Sequence, residues 1–84
     1  MAQEKLYWDT IKGSSNIDRS TWVPEKNQTE DNGNMYIIFN SGWLYVFYSV
    51  PPQLYDNFIH SASKGGFFHQ NIKGKYEYNR LGRI

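Results

Sequence analysis

Ten of the fifteen aromatic residues fall within residues 35–68. This stretch leaves the chain few ways to fold. It opens as alternating, β-rich sequence, with Met35, Ile37 and Phe39 on one face and Tyr36, Ile38 and Asn40 on the other. Asn40-Ser41-Gly42 reads as a tight turn in which Gly42 takes a positive φ. A second strand, Trp43–Val50, follows. Its alternation predicts Trp43, Tyr45 and Phe47 on one face and Leu44, Val46, Tyr48 and Val50 on the other. Pro51-Pro52 ends the strand, because proline donates nothing to a ladder. The same pair opens a helix, where the missing N–H costs nothing. That helix carries an apolar stripe at Leu54, Tyr55, Phe58, Ile59 and Ala62. Ser63-Lys64-Gly65-Gly66 is expected to stop it.

Outside this stretch the pattern is plainer. Residues 17–23 read as the first strand, with Trp22 as its aromatic anchor. Residues 24–34 hold no apolar side chain and include Asn32-Gly33, so they read as an exposed hairpin loop. Residues 67–72 form a short second helix, with Phe68 and Ile72 at i, i+4, ended by Lys73-Gly74-Lys75. Tyr76-Glu77-Tyr78 alternates as a short closing strand, and residues 79–84 are expected to fray. Residues 5–11 read equally as a short strand or a helical turn with a role in packing or assembly.

The result is one α+β domain over residues 1–84: a small antiparallel sheet of three or four strands, one main helix and one short helix. Both faces of the central strands are apolar, and one helix covers one face. Either the N-terminal segment or a second subunit must cover the other, so a homo-oligomer through the aromatic sheet face is expected.

The ordered set Phe39-x-Ser41-Gly42-x-x-Tyr45-x-Phe47-x-x-Val50-Pro51, then Tyr55, then Ser63-Lys64-Gly65-x-x-Phe68, then Ile72 and Tyr76, resembles the KTSC domain. That domain occurs at the C-terminus of some lysyl-tRNA synthetases and as a short standalone protein in bacteria and phages. The resemblance covers roughly residues 14–81, leaving residues 1–13 as an N-terminal extension. Phe47 stands where the family usually has tyrosine, and residues 24–34 are longer than its usual strand connection. The synthetase context implies nucleic-acid binding.

Charge is unevenly placed. The net charge is +1. Residues 1–63 carry four Lys/Arg against seven Asp/Glu, whereas residues 64–84 carry five against one. A basic C-terminal quarter on an acidic body points to a local anion site, or else to a solvated tail. With no cysteine there is no disulfide and no thiolate metal site, which suits a reducing cytoplasm. No run of 18 apolar residues exists, so no membrane-spanning helix is expected, and the N-terminus lacks the apolar core of a signal peptide.

Catalysis finds little support. His60 reads as a surface residue. His69 has Asn71 and Lys73 beside it but no carboxylate pair, nucleophile motif or metal-ligand spacing. The chain therefore reads as not an enzyme, with no cofactor. Binding fits better. Ser63, Lys64 and Gly65 lead into a helix N-terminus, where free N–H groups and a lysine favour phosphate; the bland alternative is a helix–helix turn with a solvated lysine. Ser14 or Ser15 would bind phosphate or, more commonly, satisfy a turn. Trp43, Tyr45, Tyr48 and Tyr76 are candidate stacking platforms, and Tyr76 and Tyr78 lie among Lys73, Lys75 and Arg80. The candidate site is thus Ser63, Lys64, Gly65, His69, Lys73, Lys75 and Tyr76. Its ligand would carry phosphate and a base, either RNA or a nucleotide. Two other expectations stand beside it: an oligomeric, phage-encoded sponge for a nucleotide immune signal, acting against host defence, and a protein-binding adaptor.

Overall fold

A five-stranded antiparallel meander, in the order β1-β2-β3-β4-β5, carries two helices among the described residues. The computed structural model describes residues 8–11, 14, 16–25 and 32–84. The strands are β1 (Asp9–Thr10), β2 (Ile17–Pro24), β3 (Gly33–Phe39), β4 (Trp43–Val50) and β5 (Tyr78–Arg83). The helices are α1 (Pro52–His60) and α2 (Lys64–Asn71). The class is α+β, with five strands rather than three or four.

The central hairpin forms as its alternation predicts. Met35 lies opposite Phe47 and Ile37 opposite Tyr45. Gly42 closes the turn at φ 93°, a conformation open to glycine. Both helices pack on this one face. Phe58 of α1, Phe68 of α2 and Ile72 join Ile17, Met35, Ile37 and Phe47 in the core. Each such side chain contributes ~1.5–3 kcal/mol when fully buried.

Strict alternation fails at the end of β4. Val50 is buried on the helix side, not the opposite face. Gly33 pairs with Val50 and Met35 with Phe47, so two residues of β4, Tyr48 and Ser49, face one residue of β3. The extra residue is Ser49, at φ 58°, in the left-handed region that non-glycine residues rarely adopt. It shifts the parity, so that Val50 turns inward just before the proline pair.

Pro51-Pro52 opens α1 as expected, with Pro52 at the first helical position. The helix ends earlier than its stripe. Ser61 is its C-cap, and Ala62 lies beyond it, exposed. Gly65-Gly66 does not stop a helix but sits in the first turn of α2. Ser63 caps that helix by accepting a hydrogen bond from the Gly66 N–H at 3.3 Å. Gly74, at φ 77°, follows α2 within the turn that ends it.

The termini are also placed differently. Residues 79–84 do not fray. Their strand completes the ladder of β4, with Phe47 opposite Tyr78 and Trp43 opposite Arg83, and the Ile84 N–H donates to the Gly42 carbonyl at 2.8 Å. Without it β4 would expose a row of unpaired N–H and C=O groups. Of Tyr76-Glu77-Tyr78, only Tyr78 is in a strand.

At the other edge, β1 pairs with β2, and Ile11 enters the helix-side core. Tyr55 of α1 fastens this segment. Its hydroxyl donates to the Asp9 carboxylate at 2.7 Å and lies 3.0 Å from the hydroxyl of fully buried Ser20. Burial, reinforced by Asp9, pushes the Tyr55 phenol well above its ordinary pKa, while the Ser20 bond pulls the other way.

The expected hairpin loop is shorter at both ends, since β2 runs to Pro24 and β3 begins at Gly33. The Glu25 N–H donates to the Asn32 carbonyl at 3.2 Å. Residues 26–31, Ser15 and the part of the 5–11 segment before Trp8 lie outside the described residues.

Candidate nucleotide-binding groove

A groove of about 470 Å³ opens between α2 and the β4–β5 end of the sheet. Its floor is aromatic. Phe39, Tyr45 and Phe47 share the helix-side face by strand alternation, and Phe68 comes down on them from α2. Phe68 meets Phe39 and Phe47 edge-on, with centroids 5.6 and 5.4 Å apart. Tyr78 of β5 tilts against Tyr45 and Phe47 at 5.8 and 5.7 Å. These are separations at which ring quadrupoles attract. Phe47 and Phe68 are buried, while Tyr78 is 57% exposed, so one ring of the group faces outward.

Trp43 lines the groove at the start of β4. The Arg80 guanidinium lies 4.4 Å from its ring centroid and that of Arg83 5.9 Å. Register explains the first contact: Arg80 sits opposite Tyr45, two residues from Trp43 along β4, within diagonal reach. Arg83 is held by its Nε, which donates to the Ser41 carbonyl at 3.1 Å. Two guanidiniums therefore converge on one indole, as cation–π attraction favours. Asn16, Ser41, His69, Lys73 and Gly74 also line it, and among the described residues the lining includes no carboxylate.

Two of the seven residues expected from sequence, His69 and Lys73, line this groove. His69 lies beside Phe68, with ring centroids 6.4 Å apart. Ser63, Lys64 and Gly65 sit together at the opposite end of α2, where two of them have local partners. The Ser63 hydroxyl is the α2 cap, and the Lys64 ammonium donates to the Ser61 carbonyl at 3.1 Å, at the C-terminus of α1. Ser14 has a turn role, its hydroxyl accepting from the N–H groups of Asn16 and Ile17. Lys75 is exposed, and Tyr76 packs against the core. Phe39, Ser41 and Phe68 stand in the sequence as motif or core positions and Arg83 as part of the basic C-terminal quarter; neither they nor Asn16 are expected there as site residues. Arg80 and Arg83 join the site only because residues 78–83 form a strand beside β4.

Among the described residues no group of three or more His, Cys, Asp or Glu could hold a metal, and no helix is long and apolar enough to cross a membrane.

The chain belongs to the KTSC domain family, whose model matches residues 13–76. A lysine–tRNA ligase of Nostoc punctiforme is 30% identical over 79 residues, covering 94% of this chain and 13% of the ligase. One of Trichormus variabilis is 40% identical over 61 residues, covering 73% and 11%. The chain is thus a small module beside the ligases it matches. Among solved structures, a KTSC domain protein from Yersinia pestis superposes with a TM-score of 0.78 at 29% identity, covering 93% of this chain and 100% of that one.

Proposed function

We propose that this chain is a non-enzymatic binding module whose groove takes a ligand bearing a base and a phosphate, as RNA or a nucleotide. One observation carries the reading. An aromatic groove has Trp43 at one end, with Arg80 stacked on it, and Lys73 and His69 in its lining. Aromatic rings beside cations suit a base and its phosphate, since every base has a stackable face. Kinship with a segment of tRNA ligases supports the same reading. Calorimetric titration of the purified chain with nucleotides and short RNA tests it. Binding lost in Trp43→Ala but kept in Trp43→Phe supports it, and no heat with any of these ligands rejects it.

The same groove would serve a small oligomeric sponge for a nucleotide signal. A reading of this kind is favoured by the net charge of only +1, because proteins that neutralise many phosphates are usually more basic. Self-association through the second sheet face, where Tyr36, Leu44 and Tyr48 are half-buried, belongs to that reading. Light scattering decides between a multiple of 9.9 kDa and the monomer mass.

A further inference from the structure

We infer that the groove takes two linked nucleotides rather than one, with stacking stations at Trp43 and Tyr78 and cations from Arg80 and Lys73; this rests on the base-and-phosphate reading above. Trp43 and Phe47, four residues apart on β4, lie about 13 Å apart at ~3.3 Å per strand residue. The Trp43 end holds Arg80 and Arg83. The exposed ring of Tyr78, paired with Phe47, lies 5.7 Å from Phe47 and 5.8 Å from Tyr45, so the second station covers that half of the strand. The Tyr48 N–H donates to the Glu77 carbonyl at 2.9 Å, so the connection from α2 reaches the sheet at this second end. Lys73 is in the turn that opens this connection, five residues before Tyr78, and both line the groove. A lone nucleotide brings one base and one phosphate group and leaves one station empty. Two nucleotides joined by a phosphodiester occupy both, with no carboxylate among the described lining residues to repel them. A duplex does not fit this chemistry, because its bases are already stacked on each other.

Linked nucleotides occur both in a single strand and in a cyclic dinucleotide, and the test separates these sources. The full chain is titrated with AMP, linear diadenylate, hexaadenylate, cyclic diadenylate and an A·U duplex. Either linear diadenylate or cyclic diadenylate should bind at least tenfold more tightly than AMP. Hexaadenylate above the cyclic form assigns the site to single strands, and the reverse order assigns it to the small cyclic molecule. Arg80→Ala and Lys73→Ala, both at exposed positions, should each weaken the tighter ligand roughly tenfold while leaving the circular dichroism spectrum unchanged. AMP binding as tightly as every linked form overturns the inference but leaves the base-and-phosphate site standing. Duplex binding as tight as hexaadenylate also overturns it. No binding by any of the five overturns both readings.

Discussion

The indole of Trp22 lies where a side chain on Gly33 would have to be. A Cβ built at Gly33 would meet Trp22 Cζ2 at 2.5 Å and would also strike the Val23 carbonyl oxygen. The same indole donates from Nε1 to the Val50 carbonyl at 3.0 Å, at the strand end that precedes the proline pair. Gly33→Ala is therefore expected to cost ~1–3 kcal/mol, the usual range for overpacking. A urea titration should show a lower midpoint with an unchanged slope.

Residues 26–31 should behave differently. They contain no apolar side chain, and the Glu25–Asn32 hydrogen bond closes the hairpin outside them. Shortening a loop changes closure entropy by only ~0.6 kcal/mol per halving. Replacing 26–31 by Asn-Gly, with Glu25, Asn32, Gly33 and Asn34 kept, should leave the melting temperature nearly intact. Replacing 24–34 as a whole should not, because it removes Gly33 from beneath Trp22.

Tyr55 makes stability depend on alkaline pH. Its phenol is raised above the ordinary value of 10.0 in the folded chain. The folded state therefore holds this proton more tightly than the unfolded state does. The resulting stabilisation is fully present below pH 10 and is lost as pH rises past it, when the unfolded chain ionises first. Tyr55→Phe should lower stability at pH 7 by ~1–3 kcal/mol, since it strips a partner from buried Ser20. The gap in melting temperature between the two proteins should narrow above pH 10. A gap constant to pH 11 would refute the linkage.

Lys64→Ala tests the helix–helix turn. The ammonium donates to Ser61 at the C-terminus of α1, where a cation meets the negative end of the helix dipole. Such a contact contributes ~0.3–1 kcal/mol. A loss of a few degrees in melting temperature with unchanged nucleotide affinity is expected. A tenfold loss of affinity would instead place Ser63, Lys64 and Gly65 in the ligand site.

Under the proposed function, salt dependence reports how many phosphates the ligand places against the groove. With two or three contacts from Lys73, Arg80 and Arg83, log affinity should fall with log salt at a slope of about −1.4 to −2.1 for a single strand. A slope beyond about −4 would require phosphate contacts elsewhere on the surface.

The hairpin, its turn and the start of α1 were legible because each depends on local chemistry: alternation from Met35 to Phe47, Gly42 at positive φ, and prolines that end a strand and open a helix. The strand at 78–83 was not. Asn79, Arg80 and Gly82 have little strand propensity, and the segment is ordered by the unpaired edge of β4 and by the indole of Trp43. The two guanidiniums that flank Trp43 were hidden with it. His69 and Lys73 line the groove and were expected from sequence because they follow Ser63-Lys64-Gly65 among aromatics, whereas the pairing of Arg80 with Trp43, 37 positions apart in sequence, is not visible in one dimension.

The irregularity at Ser49 is one of three among the described residues. Asp18 in β2 and Leu81 in β5 are likewise single residues inserted between paired neighbours, and all three are exposed. Each takes up one count and hands the chain back in phase, so that Ile17 and Ser20, Phe47 and Val50 still face the helices on either side of the slip. Such positions are hinges in the arithmetic of the fold. A gene lineage could lose a codon there without turning the protein inside out, because plain alternation then keeps the same residues inward, whereas a loss in a regular part of the strand would exchange core for surface along the rest of it.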